Sequence, residues 1–455
     1  MTTQMIPLMT ASIGRLRQTH PLGRVIGASG GTIEVTGLTQ HARLGDRTRV
    51  LSGAQTLVAE VIRIQGEVLH LLPEGSAEGI SVGDAVRLDP PLIFAPVEGW
   101  IGRVIDPDGL PLDGRPLLPG LTGRNLRAAP PPPHQRRAMG ARLETGFAVF
   151  NTLLPLVSGQ RIGLFAGSGV GKSMLLADLA RQVAADVIVI GLVGERGREL
   201  RHFVQEVLGP EGMSRTVVVA ATSDRAPQVR RRCALAATTV AEYFRDTGAQ
   251  VLLLIDSVTR FAEAHRELAV ASGEPAALRG FPASTGPVIA GLCERAGPGA
   301  DDSGDITAIY SVLVAGSDME EPVADMLRGV LDGHVVLDRQ IAERGRFPAI
   351  DVLRSVSRSL PEAATPAENA LIAEARGHLG AYDRAELMIQ SGLYSQGNDA
   401  VIDAAISCQA ALEKFLAQRD KGGIAASFLT LRQILARPSN MTRAARAATD
   451  RNARD

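Results

Sequence analysis

Lys172 and Ser173 close the run AGSGVGKS, residues 166–173, and this order of small residues, cation and hydroxyl suits a polyphosphate. Backbone without side chains at Gly167, Gly169 and Gly171, with Ser168 and Val170 between them, lets N–H groups close around β- and γ-phosphates. A helix N-terminus behind the loop would add partial positive charge. Lys172 supplies a compact cation, and Ser173 offers the kind of oxygen ligand that Mg2+ prefers. The pattern G-x-x-x-x-G-K-[ST] asks for glycine at 166, where the chain has Ala166. A glycine-rich turn ahead of a core helix is the plainer alternative. Against it, lysine occurs only at 172, 414 and 421 while arginine occurs forty-five times, so the chain keeps lysine where a point charge is needed.

Hydrolysis asks for more than a grip, because water must be oriented and the charge on the transferring phosphoryl group stabilised. Asp256 ends the apolar run VLLLID and reads as the acidic partner of a phosphate-bound Mg2+; alone it is equally a carboxylate capping a turn. Glu195, in GLVGERGREL, is the candidate for the water-orienting base. Arg196 and Arg198 beside it are placed to hold phosphate oxygens or a neighbouring subunit, or are plain surface charges. Arg358, in SVSRS, is the candidate for an arginine presented across a subunit boundary, although pairing with a surface acid is equally consistent with its spacing.

These residues need a scaffold of strands that end where they begin. An apolar strand over 162–165 leads into the loop, and a helix from about Lys172 carries Leu175, Leu176, Leu179 and Val183 on one face. Further strands are expected over 187–193, from Val217, over 251–257 and from Ile306, alternating with helices, as in an α/β domain with a mostly parallel sheet. Ligands of such sheets sit beyond the carboxyl ends of the strands, where the loop, Glu195 and Asp256 would converge. Upstream, residues 23–88 give short β-type runs between glycine-rich turns and read as a small β-barrel. Residues 102–116 and the prolines at 130–133 read as a turn-rich connector. Beyond about 361 the period is helical: Val401, Ala405, Cys408, Leu412 and Phe415 form one stripe behind the cap candidates Asn398 and Asp399, and Ile424, Phe428, Leu431 and Leu435 form another. The expected division is 1–20 an N-terminal segment, 21–95 barrel, 96–142 connector, 143–362 nucleotide-binding domain, 363–437 helical domain and 438–455 an arginine-bearing tail.

Composition narrows the functional classes. A chain of 455 residues with net charge −1 and 45% hydrophobic content has room for two or three domains and gives no prior for binding nucleic acid or a membrane surface. Cys233, Cys293 and Cys408 lie far apart, so neither a zinc site nor a disulfide framework is suggested, and a reducing cytosol is the natural setting. No apolar run reaches the roughly 18 to 20 residues of a membrane span, and a soluble, unsecreted protein is expected.

Taken together, LETGFAVFNTLLPLVSGQRIGLFAGSGVGKS, GLVGERGREL, IDSVTRFAEAHRE, GSDMEEPVADMLRGVLDGHVVLDR and GRFPAIDVLRSVSR resemble the catalytic subunits of rotary ATP synthases, and most closely the flagellar protein-export ATPases. That resemblance covers about residues 20–435. It implies an α/β fold, a RecA-like P-loop NTPase domain with an N-terminal β-barrel and a C-terminal α-helical domain, assembled as a homohexamer with ATP and Mg2+ between subunits. By position it assigns Gly167 to Met174 to the nucleotide's phosphates, Lys172 and Ser173 to phosphate and Mg2+, Glu195 to water activation, and Asp256, supported by Arg196 and Arg260, to the metal side. Phe347 would stack on adenine and Arg358 would reach the neighbour's nucleotide. Glutamate at 195, where non-catalytic synthase subunits carry glutamine, points to a hydrolytic chain.

The same resemblance implies partners. A stator-like regulatory export protein would bind the N-terminal segment, with export chaperones, flagellar substrates and export-gate membrane proteins as further contacts, at the cytoplasmic face of the cell membrane. The segment GEPAALRGFPAST, residues 273–285, corresponds to a loop facing the ring's centre but departs from the family wording at Phe281 and Ala283. The alternatives are a catalytic subunit of a rotary synthase, an RNA-translocating ring helicase, which few aromatics and neutral charge disfavour, and a nucleotide-switched scaffold without hydrolysis.

Overall fold

The computed structural model describes residues 19–300, 302–314, 319–420 and 422–436. The expected tail, nearly all of the N-terminal segment and part of the GSDMEE phrase lie outside them. Six short strands come first: β1 Leu22–Ser29, β2 Thr32–Thr36, β3 Arg47–Ser52, β4 Gln55–Gln65, β5 Val68–Pro73 and β6 Ala85–Leu88. Alternation decides their faces, as in β2, where Ile33 and Val35 are buried between partly exposed neighbours. The six close into an antiparallel barrel in the order β1-β2-β5-β4-β3-β6 around Val25, Ile33, Val35, Val50, Leu69 and Val86. Gly30 and Gly31 make the two-residue turn between β1 and β2 with φ of 57° and 81°, a pair of left-handed positions that glycine accepts at little cost.

Eight more strands follow: β7 Val104–Ile105, β8 Arg161–Ala166, β9 Val187–Glu195, β10 Thr216–Thr222, β11 Val251–Asp256, β12 Ile306–Leu313, β13 Gly333–Leu337 and β14 Ile350–Ser357. The longer helices are α1 Lys172–Gln182, α2 Pro227–Asp246, α3 Val258–Ala271, α4 Thr285–Glu294, α5 Pro322–Val330, α6 Pro366–Gln390, α7 Ala400–Leu416 and α8 Gly423–Leu435. The chain forms two compact units.

One unit comprises Met1–Ala138, Ala185–Leu313 and Asp318–Val330. Besides the barrel it holds the parallel strands β12-β11-β9-β10-β7. Their near-continuous aliphatic runs are buried, because helices cover such strands; α2 lies on β9, β10 and β11 and packs against α3. Within the segment read as a turn-rich connector, Val104 and Ile105 add an edge strand to β10, a run too short for any periodicity to announce.

The other unit comprises Met139–Ala184, Val314–Ser317 and Leu331–Asp455. In it β8 pairs parallel with β13, and β13 antiparallel with β14. Helices α6, α7 and α8 pack on one another, with Ala405, Cys408, Leu412, Phe415, Phe428 and Leu431 in the core. Asp399 is the cap expected of it, accepting from the backbone N–H of Val401 and Ile402 at 2.7 and 3.3 Å. Val401 itself departs from the predicted stripe and is 59% exposed.

Candidate active site

The phosphate grip is built as its residue types require. β8 delivers the chain at Ala166, buried and bonded through its carbonyl to the N–H of Val314 at 3.0 Å. Gly169 and Gly171 take φ of 78° and 84°, left-handed values that fold the loop back so that α1 starts directly at Lys172. No side chain caps this helix, so its first N–H groups face the loop's concavity, the arrangement that binds anions. Leu175, Leu176 and Leu179 anchor α1 in the core, Val183 is its buried C-cap, and Met174 stays 53% exposed beside the loop.

Phe347 comes to this loop from the other end of the same unit. A Cβ on Gly171 would lie 3.2 Å from Phe347 Cδ1, so the ring rests directly on the last loop glycine. The ring is 52% exposed and its outer face is open to a ligand. The Phe347–Pro348 peptide is cis.

Arg358 follows the last residue of β14 and is exposed. Its neighbours fix it. Ser357 Oγ donates to the Pro155 carbonyl at 2.7 Å and accepts from Gln160 Nε2 at 3.0 Å, and the Arg358 N–H donates to the Asp332 carbonyl at 3.0 Å. Buried serines at 357 and 359 thus hold the backbone while the intervening side chain leaves the surface.

The carboxylates belong to the first unit, at the ends of adjacent parallel strands. Asp256 ends β11 in register with Leu192 of β9, so Glu195 stands three residues farther along. Asp256 is 5% exposed and accepts from Ser311 Oγ of β12 at 2.6 Å, which orients one carboxylate oxygen. Its peptide to Ser257 is cis, and Ser257 Oγ caps α3 by accepting from the Arg260 N–H at 3.3 Å. Glu195 ends β9 opposite Thr222 of β10. Arg260 salt-bridges Glu263 at 2.9 Å, and Arg196 pairs with Glu199 at 3.2 Å on the surface. Arg230 was not foreseen from sequence: its Cδ and the Arg260 Cβ would lie 3.6 and 3.5 Å from a Cβ on Gly194, so both side chains flank the residue before Glu195. Nor was Ser311, a serine inside an apolar strand; its position two residues before the end of β12 was the only signal.

A Mg2+ site of the P-loop kind asks for few protein ligands, since phosphate oxygens and waters complete an octahedron. The Ser173 hydroxyl and the Asp256 carboxylate are hard oxygen donors of the right type. Among the described residues no cluster of three or more His, Cys, Asp or Glu forms a self-sufficient metal cage, and the three cysteines are buried and joined in no disulfide. In the segment 273–285, Arg279 adopts φ 51° and Phe281 lies under the Arg266 guanidinium at 4.9 Å. No helix among the described residues is long and apolar enough to cross a membrane.

Comparison with known proteins agrees with this architecture. Residues 146–357 match the family model described as ATP synthase alpha/beta family, nucleotide-binding domain, and residues 364–433 match the T3SS EscN ATPase C-terminal domain. The chain is 42% identical over 437 residues to the flagellum-specific ATP synthase of Caulobacter vibrioides, spanning 94% of this chain and 98% of that one. It is 40% identical over 420 residues to the type 3 secretion system ATPase of Xanthomonas euvesicatoria, spanning 92% and 93%. The assembled ATPase EscN from the enteropathogenic E. coli type III secretion system is similar in structure, with a TM-score of 0.85 at 37% identity over 91% of this chain and 100% of EscN.

Proposed function

The chain belongs to the family of flagellum-specific ATP synthases and type 3 secretion system ATPases, and we propose that it hydrolyses ATP as a homohexameric ring serving flagellar protein export. One observation carries the site assignment: an uncapped helix N-terminus behind two left-handed glycines, with the half-exposed Phe347 ring resting on the second of them. The backbone N–H groups of residues 167–174 and the Lys172 ammonium would hold the β- and γ-phosphates, and the adenine would stack on Phe347. Mg2+, held through Ser173 and Asp256, would neutralise phosphate charge. Glu195 would accept a hydrogen bond from the attacking water and orient it, with Arg196 and Arg260 supporting that side of the site. Arg358, exposed on a rigid backbone, is suited to stabilise transition-state charge in a neighbouring subunit, a contribution of about 10³- to 10⁵-fold in rate for such arginines.

By the same reading residues 21–95, 143–362 and 363–437 act as barrel, motor and helical domains joined by the connector 96–142. The ring would work at the cytoplasmic face of the membrane. Its partners there are a stator-like protein on the N-terminal segment, export chaperones with their cargo, and the export-gate membrane proteins; nucleic acid is not among them. Loop 273–285, with Phe281, would touch cargo, and Phe281→Ala with normal export removes that role.

The deciding experiment is ATP turnover by the purified chain against protein concentration, beside Glu195→Gln and Arg358→Ala. Turnover that rises steeply with concentration and is lost in both variants is expected. Turnover independent of concentration, with Arg358→Ala fully active, refutes a site completed in trans.

A further inference from the structure

Gln160 closes the turn that leads into β8, and its side chain is wholly buried. A buried amide is tolerated only when its polar groups are bonded, and here they join three stretches of chain. Its Oε1 accepts from the Val157 N–H at 3.0 Å, while its Nε2 donates to the Asp332 carbonyl at 3.1 Å and to Ser357 Oγ at 3.0 Å, which uses both amide hydrogens. Asp332 is gripped from its other side as well. Its carboxylate accepts from the Arg161 N–H, Nε and Nη2, each at 3.0 Å, and its own N–H donates to the Arg161 carbonyl at 2.8 Å. The same Asp332 carbonyl that Gln160 engages also accepts from the Arg358 N–H at 3.0 Å. Gly333 permits this close approach, since a Cβ there would stand 2.6 Å from the Val356 carbonyl oxygen.

Strand directions say where Arg358 then goes. β8 and β13 run parallel, with Ala166 beside Leu337, so the nucleotide loop leaves the sheet at that end. β14 runs back against β13, with Ile350 beside Leu337 and Ser357 beside Gly333. Arg358 therefore leaves at the opposite end, four positions of β13 or about 13 Å back from Leu337. It points away from its own chain's loop, and what fixes its departure is the peptide of Asp332 and the hydroxyl of Ser357, the two groups that the Gln160 amide holds together.

We propose that Gln160 is a positioning residue for Arg358, setting through Asp332 and Ser357 the direction in which the arginine is presented to the neighbouring subunit's nucleotide. This rests on the cross-subunit role given to Arg358 above. Without the amide the chain's own loop keeps its strand and helix, whereas the arginine loses its fixed origin, and a misplacement of about 1 Å at a reacting centre can cost about 100-fold in rate.

ATP turnover and calorimetric ATP binding by the full chain test this in Gln160→Met, Ser357→Ala, Arg358→Ala and the two double variants with Arg358→Ala. Gln160→Met should lower kcat about 10- to 100-fold while the dissociation constant for ATP stays within about twofold of the native value. Ser357→Ala removes the hydroxyl on the arginine's side but keeps the bonds of Gln160 to Val157 and Asp332, so it should move kcat in the same direction and carries the test where Gln160→Met does not fold. Neither substitution should slow Arg358→Ala any further, because an amide that acts through the arginine has nothing left to position. Native kcat in the folded variants, a loss of ATP affinity that matches the loss of rate, or double variants slower than Arg358→Ala overturns the proposal. Native turnover in Arg358→Ala instead refutes the cross-subunit reading itself, whatever Gln160 does.

Discussion

Gly171→Ala puts the nucleotide loop under a strain that can be worked out beforehand. At φ 84° and ψ 16° the residue occupies the left-handed region, where a Cβ costs about 1–2 kcal/mol. The added methyl would also stand 3.2 and 3.3 Å from Phe347 Cδ1 and Cε1, inside the ~3.5–4.0 Å at which carbon atoms attract. Because that ring is half exposed, it can swing aside at little cost to folding, but it then leaves the position assigned to adenine stacking. The backbone term alone corresponds to about a 5- to 30-fold drop in the population of the correctly formed loop. The expected result is a fall of at least that size in kcat/KM for ATP, with KM raised. A cycle with Phe347→Ala separates the two causes: the ring's share disappears in the double variant and the backbone's share stays, so the effects should be less than additive by more than about 0.5 kcal/mol. Gly171→Ala turning over ATP within twofold of the native chain would refute the loop geometry. Strict additivity would remove Phe347 from the loop.

Three further outcomes follow from the packing. The His265 imidazole is held below its ordinary value by burial, with Arg231 and Arg127 beside it outweighing Glu274; since Arg231 can only donate, Nδ1 accepts and Nε2–H donates to Ser284 Oγ at 2.8 Å. Unfolded chains take up a proton there near pH 6.5 and the native state does not, so thermal midpoints should fall from about pH 7 to 5.5 through this group, and His265→Gln should flatten that part of the curve. Arg295→Ala strands Glu242, which Arg295 meets through Nε and Nη2 at 2.8 and 2.6 Å with both residues buried; a loss of about 3–5 kcal/mol in denaturant unfolding is expected, most of it recovered in Arg295→Met/Glu242→Leu. Asp399→Ala removes two hydrogen bonds from the start of α7 and should cost about 1 kcal/mol by the same measurement.

What sequence made legible was whatever depends on neighbours along the chain. The small residues at 166–171 announced a loop between strand and helix, and the structure bends it at Gly169 and Gly171. Aliphatic runs placed β9, β10, β11 and β12 within a residue or two, and Asp399 was readable as a cap because its side chain serves N–H groups two and three residues on. What stayed hidden depends on distant segments. Ser311 matters through Asp256, fifty-five positions away, and Arg230 through Gly194 on another strand. Val401 fits a helical period yet is exposed, since a period assigns a face but not how far the packed neighbours extend along it. Phe347 was assigned by resemblance alone, and for Arg358 resemblance decided between a cross-subunit role and a surface ion pair. Their spacing gave no sign that one would rest on Gly171 and that the other would leave a backbone pinned by buried serines.

The barrel leaves no strand with a free side: β1 is bonded to β2 and β6, and each of the others likewise has two partners. Another molecule therefore finds no row of unused amides to extend, which rules out runaway strand addition as a mode of association there. Whatever meets this surface must read side chains such as Leu22, Ile26, Leu44 and Val82. A surface of that sort can be rewritten one residue at a time without touching the hydrogen bonds beneath it, so the barrel is free to change its acquaintances over evolutionary time while keeping its shape.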